Sequence, residues 1–85
     1  MKDIGRILRE QRLARGLEIN DIAKQTCICT RYLYAMEEGK FQSIPRVFDK
    51  GYLKIYANHL QLDARQLLAL YDQFIKDQVA VVKTH

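Results

Sequence analysis

Eighty-five residues, 48% hydrophobic and 28% charged with a single proline, make one small globular unit, too short for a second domain or a deep substrate cleft. No apolar run approaches the roughly 20 residues a membrane span needs, and the start, Met1-Lys2-Asp3-Ile4-Gly5, lacks the apolar core of a signal peptide. A net charge of +4 leaves nucleic acid, acidic lipid and acidic protein open as partners.

The first predicted helix covers about residues 3–15, with Ile4, Ile7, Leu8 and Leu13 near helical spacing. It stops at Gly16, because glycine enters the left-handed conformation of a helix end without steric cost. Asp3 and Arg15 complement the helix dipole at its two ends. The second helix spans about 19–26 with Ile19, Ile22 and Ala23 inward, and Glu18 stands where a short cap such as Ser or Thr is favoured. Cys27-Ile28-Cys29 forms a three-residue turn into a third helix at about 30–38, which buries Leu33 and Met36 and ends at Gly39. Ile28 plugs the corner between the two short helices, the arrangement of a helix-turn-helix motif.

Residues 39–43 form a loop from which Phe41 and Ile44 fold back on the core. Pro45 is expected to open the fourth helix, in the first-turn position where a missing N–H costs nothing, and that helix runs to about Leu60. Asp63, followed three residues later by Gln66, is a capping-box start for the fifth helix. This helix is expected to reach about Asp77 and to bury Leu67, Leu68, Tyr71 and Phe74 or Ile75. The domain is thus placed at residues 1–78, with 79–85 as a tail or the start of a linker. The fold class is all-α: a compact five-helix bundle around a helix-turn-helix.

Chemistry-bearing patterns are few. Cys27 and Cys29 are too close in sequence to staple a fold and are expected to be small, buried or half-buried thiols. With only His59 and His85 in addition, they make no metal site. No Ser/His/Asp, Cys/His or paired-carboxylate set and no glycine-rich phosphate loop is present, so neither enzymatic activity, nor a cofactor, nor a small-molecule substrate is expected.

Two helical faces remain as candidates. Residues 1–15 carry net +3, residues 16–45 net −1 and residues 46–62 net +2, so the helix-turn-helix is the part without positive charge. Its outward residues Thr30, Arg31, Tyr34 and Lys40 are the candidates for DNA, with Arg31 placed to read guanine and Thr30 or Tyr34 to reach phosphate. An acidic reading unit is a poor DNA binder, since phosphate neutralisation supplies most non-specific affinity. Glu37 has an inward use, pairing with Arg12. On the fourth helix Leu53, Tyr56, Ala57 and Leu60 share one face, and Phe48, Tyr52, Ile55 and His59 an adjoining one. The joint apolar arc is about 200°, against about 100° for an ordinary surface helix. Such a helix buries two faces, against its own bundle or against a partner. Gly51 in mid-helix costs about 1 kcal/mol relative to Ala, which suggests a close neighbour there. The arginine row Arg6, Arg9, Arg12 and Arg15 is expected to be a solvated face.

Ile4-Gly5, Arg9, Arg12, Gly16-Leu17, Asp21-Ile22-Ala23, Thr26, Ile28, Arg31-Tyr32-Leu33, Ala35 to Gly39, Phe41 and Pro45 resemble the Xre/Cro-like helix-turn-helix domains. The continuation Phe48 to Ala57, with its Gly51-Tyr52-Leu53-Lys54 core, and the closing Leu62-Asp63, Leu67-Leu68 and Leu70-Tyr71 resemble the subgroup carried by the RodZ family of bacterial cell-shape proteins. That resemblance covers about residues 4–72. It implies a cytoplasmic adaptor domain that binds the actin-like filament protein MreB through the fourth helix and its surroundings. Phe48 and Tyr52 occupy the family's aromatic contact positions, and Lys54, Ile55 and Tyr56 complete the expected contact set. The implied membrane link runs through a transmembrane segment that these residues do not contain. A DNA-binding regulator of the Xre type, using the third helix, is the alternative.

Overall fold

A computed structural model describes the backbone of residues 2–83 and the side chains of residues 3–76. It contains α1 (Lys2–Ala14), α2 (Ile19–Thr26), α3 (Thr30–Glu37), a 3-10 turn (Phe41–Ser43), α4 (Asp49–His59) and α5 (Ala64–Lys83), with no strand among the described residues. The all-α class and the helix-turn-helix of α2 and α3 are as expected. No helix of the described residues is long and apolar enough to cross a membrane.

One core joins all five helices. Ile4 and Leu8 of α1, Ile22 of α2, Ile28 of the turn, Leu33 and Met36 of α3, and Leu53, Tyr56 and Leu60 around α4 are fully buried. Phe41, Ile44, Leu67 and Tyr71 close the core from the loop and α5. Leu13, expected inward, is 56% exposed. It follows Ile4 by nine residues, about half a turn away on a helix of roughly 100° per residue, so it falls on the opposite side.

Helix ends follow one scheme. Gly16 and Gly39 both have positive φ, and each is followed by a paired backbone closure: Leu17 N to Arg12 O at 3.1 Å with Gly16 N to Leu13 O at 3.0 Å, and Lys40 N to Ala35 O at 2.8 Å with Gly39 N to Met36 O at 3.2 Å. Both are Schellman ends. The same geometry closes α4 through Gln61, at φ 62°, and a left-handed Cys27, also at φ 62°, ends α2. Side chains with a Cβ fit this region less well than glycine, which is why the sequence marks the first two stops more clearly than the last two. Neither Glu18 nor Cys29 caps its helix through a side chain. Thr26 ties the turn instead, donating to Ile22 O at 2.7 Å and accepting from Ile28 N at 3.3 Å.

Two boundaries differ from expectation. Pro45 does not open α4: Phe48 N bonds Pro45 O at 2.9 Å, so Pro45 begins a turn, and the helix starts at Asp49 with Phe48 as its N-cap. Proline's fixed φ suits either place; Ile44, drawn into the core, keeps the chain extended just before it. At the other end, Asp63 caps α5 as read, its Oδ1 accepting from Arg65 N at 3.1 Å and Gln66 N at 3.4 Å. The helix then continues past Asp77 to Lys83. The backbone of 79–83 is therefore helical, and the side chains of that proposed tail lie outside the described residues, as do residues 84 and 85 entirely.

Candidate interaction site

The wide apolar arc of α4 divides cleanly. Leu53, Tyr56, Ala57 and Leu60 are wholly buried, whereas Phe48 is 47% and Ile55 43% exposed. Tyr52 and His59 are half-buried between them, and Lys54 stands exposed at the rim. Phe48, Tyr52 and Ile55 recur at i, i+4 and i+7, so one helix face presents all three. The Phe48 and Tyr52 rings stack at 5.4 Å with planes 13° apart, and Tyr32 of α3 tilts against Tyr52 at 5.8 Å. Val47, 83% exposed, extends this apolar surface into the turn before the helix.

Tyr56, expected in the contact set, does not belong to it. Its side chain is fully buried and its hydroxyl donates to Glu37 Oε2. Tyr56 stands three residues after Leu53 and four before Leu60, which places it on the inward stripe. The same Glu37 accepts two hydrogen bonds from Arg12, from Nε at 2.7 Å and from Nη2 at 3.1 Å, and Arg12 Nη1 also donates to Leu17 O at 3.1 Å. With its side chain only 4% exposed, Glu37 ties α1, α3 and α4 together. Arg12 therefore leaves the solvated arginine row to which it was assigned. The Glu37 hydrogen bond pushes the Arg12 guanidinium pKa up, against the opposing effect of desolvation. Burial, then the bond to Glu37, pushes the Tyr56 hydroxyl well above its ordinary value.

A second buried carboxylate escaped sequence reasoning. Asp49, 3% exposed, receives the Tyr71 hydroxyl on Oδ2 at 2.5 Å and the Lys50 amide on Oδ1 at 2.6 Å. At the first turn of α4 it also faces the positive end of the helix dipole. Desolvation, then the bond to Asp49, raises the Tyr71 pKa. One residue further along each helix, Lys50 meets Asp72 at 2.7 Å on the surface. Thus α5 grips the N-terminal end of α4, the end that carries Phe48. An Asp at a helix start signals a cap or a solvated charge, so nothing in the local sequence marks it as buried.

The expected close approach at Gly51 is absent: a Cβ there would meet nothing within 4 Å. Close approach occurs at Gly5 instead, where a Cβ would lie 2.3 Å from the Glu37 carbonyl oxygen, because the α1 and α3 backbones cross there. The thiols of Cys27 and Cys29, expected to be buried or half-buried, are both free and exposed; Ile28 alone turns inward from that corner.

The outer face of α3 is arranged differently. Tyr34 is 51% exposed and Thr30 half-buried, Arg31 lies 5.7 Å over the Tyr32 ring, and Lys40 faces Glu38 at 3.8 Å. No cluster of three metal-ligating side chains exists among the described residues.

Residues 7–67 match a family of helix-turn-helix domains. The chain is 38% identical over 72 residues to a cytoskeleton protein RodZ of Streptococcus pneumoniae, an alignment covering 84% of this chain and 26% of that protein. It is 37% identical over 60 residues to an uncharacterized protein of Haemophilus influenzae, covering 68% of this chain and 20% of the relative. The chain thus spans about a quarter or less of the curated relatives it matches. No solved structure gives a significant match.

Proposed function

Since the chain belongs to the helix-turn-helix domain family, in the form found in RodZ cytoskeleton proteins, we propose that it is a non-enzymatic adaptor that docks on the actin-like MreB filament through the outer face of α4. In this role it joins the filament to membrane and wall-building machinery for cell-shape control, on the cytoplasmic side of the membrane. The observation that carries the reading is the division of α4: one face is entirely core, while Phe48 and Ile55 stay exposed beside Tyr52 and Lys54. Stacked aromatics with a cationic rim are what protein interfaces use as anchors.

The alternative, sequence-specific DNA binding through Thr30, Arg31, Tyr34 and Lys40, has less support. The segment of residues 16–45 carries net −1, and Lys40 already faces Glu38, so little phosphate neutralisation is on offer. Co-sedimentation with polymerised MreB and duplex binding at low salt, run in parallel on the unmodified chain, separate the two. The adaptor reading expects the chain to pellet with filaments. Failure to pellet, with salt-sensitive duplex binding that weakens in Arg31→Ala, would replace it with the regulator.

A further inference from the structure

A groove of about 590 Å³, whose lining includes none of Phe48, Tyr52 and Ile55, lies between the loop after α3 and the middle of α5. Phe41, Ile44 and Tyr71 form its buried floor, Phe74 and Ile75 its half-buried wall, and Arg46 its charged edge. The volume falls within the range of about 300–1,000 Å³ typical of ligand pockets. Tyr71 is bracketed by Phe41 at 4.8 Å and Phe74 at 6.5 Å, so the apolar lining is aromatic and held in place by its own packing.

The charged edge decides what can fill it. Arg46 is exposed and forms no ion pair or side-chain hydrogen bond among the described residues. An occupant that brings an anion to this edge gains a charge-assisted contact with the guanidinium, which an apolar occupant alone does not. The edge therefore favours an occupant that brings an anion, and a carboxylate matches the planar guanidinium fork best. Nucleic acid is a poor fit, because one cation neutralises too little phosphate for stable binding. A free small acid fits less well than a peptide: the exposed side at Gln42 and Arg46 leaves it short of the roughly 70–90% burial such ligands need. A side chain presented on a peptide brings its own backbone to cover that side.

We propose that this groove is a second docking site, which takes a large apolar or aromatic side chain flanked by Asp or Glu from an acidic segment of a protein partner. The apolar side chain packs on Phe41 and Phe74, and the neighbouring carboxylate pairs with Arg46. Because these residues are separate from Phe48, Tyr52 and Ile55, the domain holds two partners through different surfaces. The site does not depend on what docks on α4.

The test is an amide-shift titration of the isotope-labelled chain with a blocked pentapeptide, Ser-Asp-Phe-Glu-Ser, and with its Asn/Gln counterpart. The expected result is saturable shifts at Gly39, Gln42, Arg46 and Phe74 with the acidic peptide. Affinity should fall about tenfold or more with the neutral peptide and in Arg46→Glu, as for the loss of a paired interfacial charge. Arg46 is exposed, and circular dichroism checks that this variant keeps the fold. Shifts confined to Arg6, Arg9 and Arg15 would indicate non-specific attraction to the basic first helix and overturn the proposal. So would equal binding of the two peptides, or no shifts at all.

Discussion

α3 and α4 meet through the Tyr32–Tyr52 ring contact and the Tyr56–Glu37 hydrogen bond, and each shows an aromatic ring to solvent, yet their outer faces differ in kind. The third helix places its acids at its end, Glu37 turned inward and Glu38 facing Lys40. Its outer aromatic, Tyr34, stands apart from the ring contacts, while Arg31 leans on Tyr32. The fourth helix gathers Phe48 and Tyr52 into a stack, with Ile55 beside them and no carboxylate among these three. What distinguishes them is therefore less total exposure than continuity: α4 has an apolar surface with a cationic edge, and α3 with the turn after it has isolated side chains, of which Arg31 and Lys40 already have partners within the chain. A motif that names the fold does not by itself locate the working surface.

The largest expected effect breaks the support shared by both helices. Glu37→Ala leaves Arg12 without its carboxylate and Tyr56 without its acceptor. The loss of one partner of a buried pair costs about 3–5 kcal/mol, against total stabilities of about 5–15 kcal/mol. Urea unfolding should show a midpoint lowered accordingly. Gly5→Ala comes next, because the α1 and α3 backbones must part to admit a Cβ 2.3 Å from a carbonyl oxygen; overpacking of this kind costs about 1–3 kcal/mol. Gly51→Ala goes the other way: with open space around it, the gain in helix propensity stabilises by up to about 1 kcal/mol. A paired thermal melt checks both signs at once.

Alkaline titration sharpens the account of the α4–α5 grip. Tyr71 and Tyr56 have folded pKa values raised above the unfolded value, about 10 for tyrosine. The unfolded chain therefore releases its protons first. Their contribution is fully present below about pH 10 and is lost as pH rises through that value toward the folded pKa. Tyr71→Phe should flatten this alkaline decline, while lowering stability at neutral pH by about 1–3 kcal/mol because the buried Asp49 Oδ2 then loses its donor.

Much of the fold was legible in the sequence, for identifiable reasons. Gly16, Gly39 and Asp63 carry local backbone chemistry that works the same way in any context, so those boundaries were found. The inward stripe of α4 follows from helical periodicity, and the corner at Ile28 from the helix-turn-helix pattern. Leu13 was misplaced where steps of about 100° were applied loosely; Tyr56 was placed inward by periodicity, and only the family resemblance put it among the contacts. Pro45 fits a turn as well as a helix start, and the pull of Ile44 into the core decided between them. The partly exposed aromatic face of α4 was recognisable because Phe48, Tyr52 and Ile55 lie on one side of the helix. The buried Asp49–Tyr71 pair was not, since it depends on how α5 crosses α4, and residues 22 positions apart carry no local signal of meeting. The exposure of Cys27 and Cys29 likewise depends on Ile28 taking the inward place between them.

The most direct measurement compares the two outer faces under one assay: co-sedimentation of Phe48→Ala, Tyr52→Ala and Tyr34→Ala with polymerised MreB, with circular dichroism to verify that each remains folded. Truncation of an interface anchor costs about 2 kcal/mol or more. The two α4 variants should lose filament affinity by roughly 30-fold at that cost, while Tyr34→Ala pellets like the parent chain. Folded α4 variants that pellet undiminished, with loss of binding in Tyr34→Ala instead, would contradict it and return the working surface to the third helix.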